Sequence, residues 1–416
     1  MRVMNMVRVL FSLLACVFLS SVASADTRSQ TEAKFQNWLR TDVWPAARRA
    51  GVDRGVFDAA VKNISLNWDL PDLRPPGGGQ VPEQQKQAEF RAPAAYFKNS
   101  TLASAERVGK TMAGRHRATL SRIERQTGVP GRIILAIWGR ESAYGSAAIP
   151  HDAFEVLATK AFMGRRAEFF REELIAALQI VDGGHAPAGR LKSSWAGALG
   201  QPQFMPRNFL AYAQDGDGDG RRDIWRSETD TLASIGRYLA AFDWQRGRDW
   251  GFEVKVPTDV SCALEGPDQG RRVQDWQKLG ISRVSGRPFP AHERQGEAYL
   301  LMPAGRHGPA FLVTPNFYVL KKYNKSDLYA LFVGHMGDRI DFGVGAFSAR
   351  WQSVDTLSRS GIAAMQSGLE RLGYDVGGAD GLVGYKTRRS IGEWQLANGQ
   401  AATCFPDRKI VSALAR

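Results

Sequence analysis

Glu141 occupies a position from which a carboxyl group can do acid chemistry. Across Ile133-Ile134-Leu135-Ala136-Ile137-Trp138-Gly139-Arg140-Glu141, residues 134, 137, 138 and 141 share one face of a helix. The other three on that face are apolar, so Glu141 lies on the core stripe. Lost solvation disfavours its charged form and raises its pKa. A carboxylic acid still protonated near neutral pH can protonate a leaving oxygen. The plainer alternative is a helix that ends at Glu141 and turns the carboxyl to water.

A second cluster concerns metal chemistry. In Asp215-Gly216-Asp217-Gly218-Asp219-Gly220-Arg221, side-chain oxygens at positions 1, 3 and 5 and glycine at 6 copy the start of a calcium loop. Position 7, Arg221, would contribute only its main-chain carbonyl. Arg226 stands at position 12, where a bidentate Glu is expected. Three acids in five residues repel without a cation, whereas a solvated Asp/Gly turn would need none. Cys262 and Cys404 show no metal-ligand spacing, and free and paired states both stay open.

These residues need elements to hold them. Phe35, Trp38, Leu39 and Val43 recur at helical spacing ahead of Gly51, and Val56-Phe57…Val61 suggests a second helix. Pro71–Pro93, with Pro75-Pro76-Gly77-Gly78-Gly79, reads as a long loop. Ala103–Gln126 reads as one helix stopped by Gly128, and Pro130 opens the helix of Glu141. Residues 168–180, 232–242 and 327–340 are also helical in pattern. Strands are expected near 252–256, 298–302 and 310–313, inside a mixed α/β subdomain over about 251–320. Residues 341–358 read as a linker, and 359–416 as a self-contained helical module.

Composition and the N-terminus narrow the partners. The chain has 416 residues with 44% hydrophobic and 10% aromatic residues, which excludes a wholly disordered or collagen-like protein. The length fits two or three domains. The formal net charge of +13 favours anionic partners without choosing among them. Residues 1–25 have a basic start (Arg2, Arg8), an apolar run Val9–Leu19 and Ala23-Ser24-Ala25, the layout of a signal peptide. An exported, periplasmic protein follows, with nucleic acid no longer a fitting partner. Leu13-Leu14-Ala15-Cys16 resembles a lipoprotein box; lipidation at Cys16 would anchor the chain to a membrane. The short apolar run before it favours the unanchored form.

Three motifs in order carry a family resemblance. Glu141-Ser142-Ala143-Tyr144-Gly145, then Ser194-Trp195-Ala196-Gly197-Ala198-Leu199-Gly200-Gln201-Pro202-Gln203-Phe204-Met205-Pro206, then Tyr323-Asn324 resemble the membrane-bound lytic transglycosylase B family. The resemblance runs over about residues 30–340. It implies a mainly α fold: a lysozyme-like helical catalytic region, 26–340, with the strand-containing subdomain inserted. It implies that Glu141 is the single catalytic acid and base, and that no cofactor is needed for the chemistry. Ser194, Gln203, Tyr323, Asn324 and Tyr144 correspond to cleft residues that hold the sugar. Bland roles compete: Ser194 as a cap, Tyr323 as core, Gly197-Ala198 as a close-packing step. Pro202 departs from the family pattern and removes a backbone donor.

The family's chemistry explains why one acid suffices, where ordinary glycosidases use two. The substrate, a peptidoglycan glycan strand, supplies its own nucleophile, the 6-hydroxyl of N-acetylmuramic acid. The product then carries a 1,6-anhydro ring. A lysozyme-type hydrolysis using Asp152 as a second carboxyl is the rival; a non-catalytic, calcium-stabilised wall-binding protein is another. The family also implies a structural calcium on Asp215, Asp217, Asp219, the Arg221 carbonyl and a later closing acid, Asp230, with Glu228 second. Ile362, Met365, Leu369 and Leu372, then Gly373-Tyr374, Asp380-Gly381, Gly384, Thr387, Ile391 and Trp394-Gln395, resemble a three-helix peptidoglycan-binding module. Its expected use is tethering. Cell-wall synthesis proteins are further expected partners.

Overall fold

The computed structural model describes residues 28–74 and 93–415. The signal segment, Cys16 and most of the Pro71–Pro93 stretch lie outside them. The described residues form two compact units, 28–74 with Ala147–Thr231, and 93–146 with 232–415. Both are dominated by helix.

In the first unit a helix over 28–38 passes through a π-helical turn, Leu39–Val43, into Trp44–Arg49. Phe35, Leu39 and Val43 are buried as their spacing requires. Helix Arg54–Val61 starts at Asp53, whose side chain accepts from the Gly55 N–H at 2.7 Å. Helices Ala153–Met163, Ala167–Asp182 and Pro206–Tyr212 follow. A short antiparallel pair joins His151–Asp152 to Lys192–Ser193.

The second unit holds the helix of Glu141, Gly131–Ser142. Ile133, Ile134, Ile137 and Trp138 are fully buried, each apolar side chain contributing about 1.5–3 kcal/mol. This acid helix packs against Asn99–Arg115 and Asp327–Phe342. The single helix expected over Ala103–Gln126 is two, Asn99–Arg115 and Arg117–Thr127, broken at His116. His116 leaves helical geometry at φ −103°, ψ 18°, and is buried edge-on to Trp138. Gly128 ends the second helix at φ 77°, a left-handed cap that suits glycine.

The three expected strands lie at the centre of one antiparallel sheet that two short edge strands complete, in the order Arg271–Arg272, Glu297–Leu301, Ala310–Val313, Gly251–Lys255, Ser282–Arg283. Phe252 pairs with Leu312 and Leu300 with Leu312. Phe252, Val254, Leu300, Leu312 and Trp276 form its core. Cys262 and Cys404 are joined by a disulfide at its margin, closing a loop of 142 residues.

The C-terminal helices are Arg359–Arg371, Tyr385–Ala397 and Arg408–Leu414. Ile362, Met365, Leu369, Ile391, Ile410 and Leu414 form their own core. Leu372, expected in that stripe, is instead 59% exposed, because the helix stops at Arg371 and Leu372 is its cap. Residues of the expected linker, 341–358, pack against the catalytic region. Ser348 and Ala349 N–H groups donate to Glu253 at 3.0 and 2.9 Å, and Trp351 stacks on Phe97 at 5.5 Å.

Candidate active site

Glu141 sits in the last turn of its helix, so the helix does end there, but the carboxyl does not turn to water. It is half-buried, and its Oε1 accepts a 2.5 Å hydrogen bond from the Tyr329 hydroxyl. Burial pushes its pKa up to about 7; the Tyr329 bond and the Arg140 charge pull against that rise without cancelling it. Arg140 points its guanidinium at Tyr96, donating to that hydroxyl at 2.7 Å and lying over the Tyr96 and Phe332 rings.

The turn after Glu141 is built from left-handed residues: Ala143 (φ 49°), Tyr144 (φ 58°) and Gly145 (φ 79°). Two are not glycine, a conformation that costs about 1–2 kcal/mol per residue. Ala143 and Tyr144 N–H groups donate back to Gly139 and Trp138 carbonyls. The Tyr144 side chain holds the turn: its hydroxyl donates to the Ala105 carbonyl at 2.9 Å and its ring meets the Trp138 edge at 5.6 Å. Gly139 makes room, since a Cβ there would lie 2.5 Å from the Tyr144 ring. Tyr144 is 8% exposed. Both its hydroxyl and its ring make contacts inside the unit, so Tyr144 braces the turn.

Tyr329 belongs to none of the three motifs. It lies at the start of helix Asp327–Phe342, where the Ser326 side chain accepts from the Tyr329 N–H at 3.3 Å. A tyrosine three residues after a capping serine, just beyond Tyr323-Asn324, is the only signal it leaves in the sequence. Tyr323 stacks nearly parallel to Tyr329 at 6.4 Å and meets Tyr238 at 4.8 Å. Burial, then the Glu141 charge, holds the Tyr323 phenol well above its ordinary pKa. Asn324 is exposed, and its side-chain oxygen accepts from the Ser326 N–H at 3.0 Å. Thus the structure brings Tyr323 and Tyr329 to the acid and leaves Asn324 facing solvent on the adjoining loop.

The second motif lies in the first unit. Ser194 closes a tight turn: its N–H donates to the Ala198 carbonyl at 2.8 Å and its Oγ accepts from the Ala198 N–H at 3.2 Å. Gly197 (φ 84°) lies against Leu157, where a Cβ would come within 2.6 Å. Gln203 is held at φ 54°, and its amide donates to the Gly200 carbonyl at 2.8 Å. A non-glycine residue so held stores strain, a pattern that gathers at functional sites. Asp152, the second carboxyl of the hydrolytic alternative, is the N-cap of helix Ala153–Met163 and accepts from the Phe154 and Glu155 N–H groups.

In the aspartate loop, carboxylate oxygens of Asp215, Asp217 and Asp230 lie within 4.8 Å of one another. Asp219 turns instead to the Arg221 N–H at 2.8 Å, and Glu228 is not in the group. Asp230, 1% exposed, accepts from the Gly216 and Asp223 N–H groups, which ties the loop's two ends together. Its pKa is raised by burial, with the neighbouring Asp217 charge acting in the same direction. The Trp225 indole donates to the Lys192 carbonyl, fixing the loop to the strand that leads into Ser194. Three carboxylates at this spacing are a hard-oxygen donor set of the type calcium takes.

A family model, the transglycosylase SLT domain, matches residues 34–338, most of the chain. The chain belongs to the transglycosylase SLT family. A peptidoglycan binding domain model matches residues 358–414 of this transglycosylase SLT family member. Membrane-bound lytic murein transglycosylase B of Escherichia coli (strain K12) is 30% identical over 226 residues, 53% of this chain. That match spans 60% of the relative's own length. The crystal structure of SltB3 from Pseudomonas aeruginosa in complex with NAG-NAM-pentapeptide is 36% identical, with a TM-score of 0.82 over 91% of this chain and 99% of that one. Escherichia coli lytic transglycosylase Slt35 in complex with calcium is 26% identical, with a TM-score of 0.53 over 62% of this chain and 80% of that one.

Proposed function

We propose that this protein is a lytic transglycosylase that cleaves the β-1,4 bond between N-acetylmuramic acid and N-acetylglucosamine in peptidoglycan, with Glu141 as acid and then base. Glu141 gives its proton to the glycosidic oxygen as the C1–O bond breaks. The substrate's 2-acetamido oxygen stabilises the charge at C1. The 6-hydroxyl then attacks C1 and returns its proton to Glu141. A 1,6-anhydro ring forms and no water is consumed.

The observation that carries this reading is a single half-buried carboxyl, held by Tyr329 and shifted to about pH 7, in the first family motif. The engagement of Asp152 as a helix cap speaks against a second carboxyl from that position. Ser194, Gln203, Tyr323 and Asn324 take sugar-positioning roles, each from its matching motif. Calcium is proposed on Asp215, Asp217 and Asp230, where it would neutralise three converging charges and fix the loop; the chemistry needs none. The peptidoglycan binding match and the positive charge support capture of the wall polymer. The disulfide fits an oxidising compartment, in line with export to the periplasm.

The test is Glu141→Gln against purified sacculi. Clearing should fall by at least about a thousandfold, the scale of losing an acid–base group. Undiminished clearing would remove Glu141 from the role.

A further inference from the structure

The C-terminal module is connected to the residues that hold Glu141. Arg388, on helix Tyr385–Ala397, is only 3% exposed. Its guanidinium reaches out of the module to both oxygens of Glu265, at 2.6 and 3.0 Å, and to Asp327 Oδ2 at 3.3 Å. Glu265 is fully buried and also accepts from the Met302 N–H. Asp327 is the first residue of the helix that carries Tyr329. Its other oxygen takes Lys321 Nζ at 2.6 Å, from the end of helix Pro315–Tyr323. The Lys321–Asp327 pair therefore brackets the loop of Asn324, and Arg388 grips that bracket from the module side.

Such an arrangement is more than tethering requires. Burying three charges carries a heavy desolvation penalty, and an apolar contact would hold a module equally well. What ions and hydrogen bonds add is a fixed register. The approach is also close: a Cβ at Gly305 would lie 2.1 Å from the Thr403 carbonyl, and one at Gly266 would lie 2.6 Å from the Tyr385 ring. The disulfide Cys262–Cys404 staples the same face.

We propose that the C-terminal module is a working support of the active site, with Arg388 a positioning residue that sets the Asn324 loop and Tyr329 through Asp327. The inference rests on Glu141 being the acid. It assigns the module a part in turnover itself, beside any capture of the polymer.

The experiment uses the full chain and a short soluble peptidoglycan oligomer of two disaccharide units, with sacculus co-sedimentation alongside. Arg388→Ala should lower kcat about tenfold, the scale of a small misplacement of reacting groups. KM should stay within about twofold and sacculus binding should be unchanged, as expected when only transition-state interactions are lost. Arg388→Lys should recover most of kcat. Since Arg388→Ala strands the buried Glu265, a double variant, Arg388→Met with Glu265→Gln, removes that pair of charges together and leaves Asp327 its Lys321 partner; it should keep the melting temperature and still lose kcat. Wild-type kcat in a folded double variant would overturn the proposal. So would a defect confined to sacculus binding. Glu141→Gln in the same assay separates the two readings: activity there removes the acid, whereas an inactive Glu141→Gln beside fully active Arg388 variants removes only the role of Arg388.

Discussion

Two effects oppose each other at Glu141. Burial raises its pKa and the Tyr329 hydroxyl lowers it, and burial prevails, at about 7. The acid is protonated below that value, so kcat/KM should fall as pH rises through about 7. Tyr329→Phe removes a group that favours the carboxylate, so the pKa should rise and the falling limb should move to higher pH. A pH–rate profile of both proteins checks the sign; a limb that moves down would contradict the assignment of the hydrogen bond. Stability follows the same linkage. A folded pKa above the unfolded value means ionisation destabilises the fold, with the loss setting in as pH rises from about 4 to 7. Glu141→Gln should therefore stabilise the protein by about 1–3 kcal/mol at pH 8 and have no such effect at pH 4, as read by chemical denaturation.

At the scale of elements, the end of the acid helix depends on Gly139. Ala is the better helix former by about 1 kcal/mol, yet its Cβ would enter the Tyr144 ring. Gly139→Ala should destabilise by about 1–3 kcal/mol and lower kcat, since Tyr144 braces the turn behind Glu141. Stabilisation by that change would show that the turn gives way freely. The aspartate loop makes a separate prediction: a chelator should lower the melting temperature, and Asp230→Asn should abolish that response. Much of this level is legible in the sequence. The apolar face of 133–141, the Gly128 stop and the alternating strands are short-range patterns, and short-range periodicity is what burial imposes on a chain. The break at His116 is not legible, because Leu120 and Ile123 continue the apolar rhythm across it. Tyr329 is hidden differently: its role depends on a partner 188 residues away, and no local spacing records that pairing. Tyr144 shows the converse, a motif residue whose neighbours on the helix, Trp138 and Gly139, claim it for packing.

Over the whole molecule, the features that a linear reading separates are joined by long-range links. Arg388 and Glu265 are 123 residues apart, and Cys262 and Cys404 are 142 apart. Neither pairing has a periodic signature, so the links between the C-terminal module, which keeps its own core, and the rest of the chain are not legible in the sequence. Closing so long a loop restricts the unfolded chain, and replacing both cysteines by serine should cost about 5 kcal/mol on the chain-entropy account. Equilibrium unfolding of the double serine variant measures it. The charge surplus acts at this scale too. Binding to sacculi should weaken as salt rises from 10 mM toward about 150 mM, where the screening length falls to about 8 Å.

The central claim is that one carboxyl and a nucleophile within the substrate complete the reaction. Digestion of purified sacculi in 18O-enriched water, followed by mass spectrometry of the muropeptides, tests it most directly. The account predicts 1,6-anhydro ends, one water lighter than hydrolysed ends and free of 18O. Reducing ends that carry 18O as the sole product would contradict it.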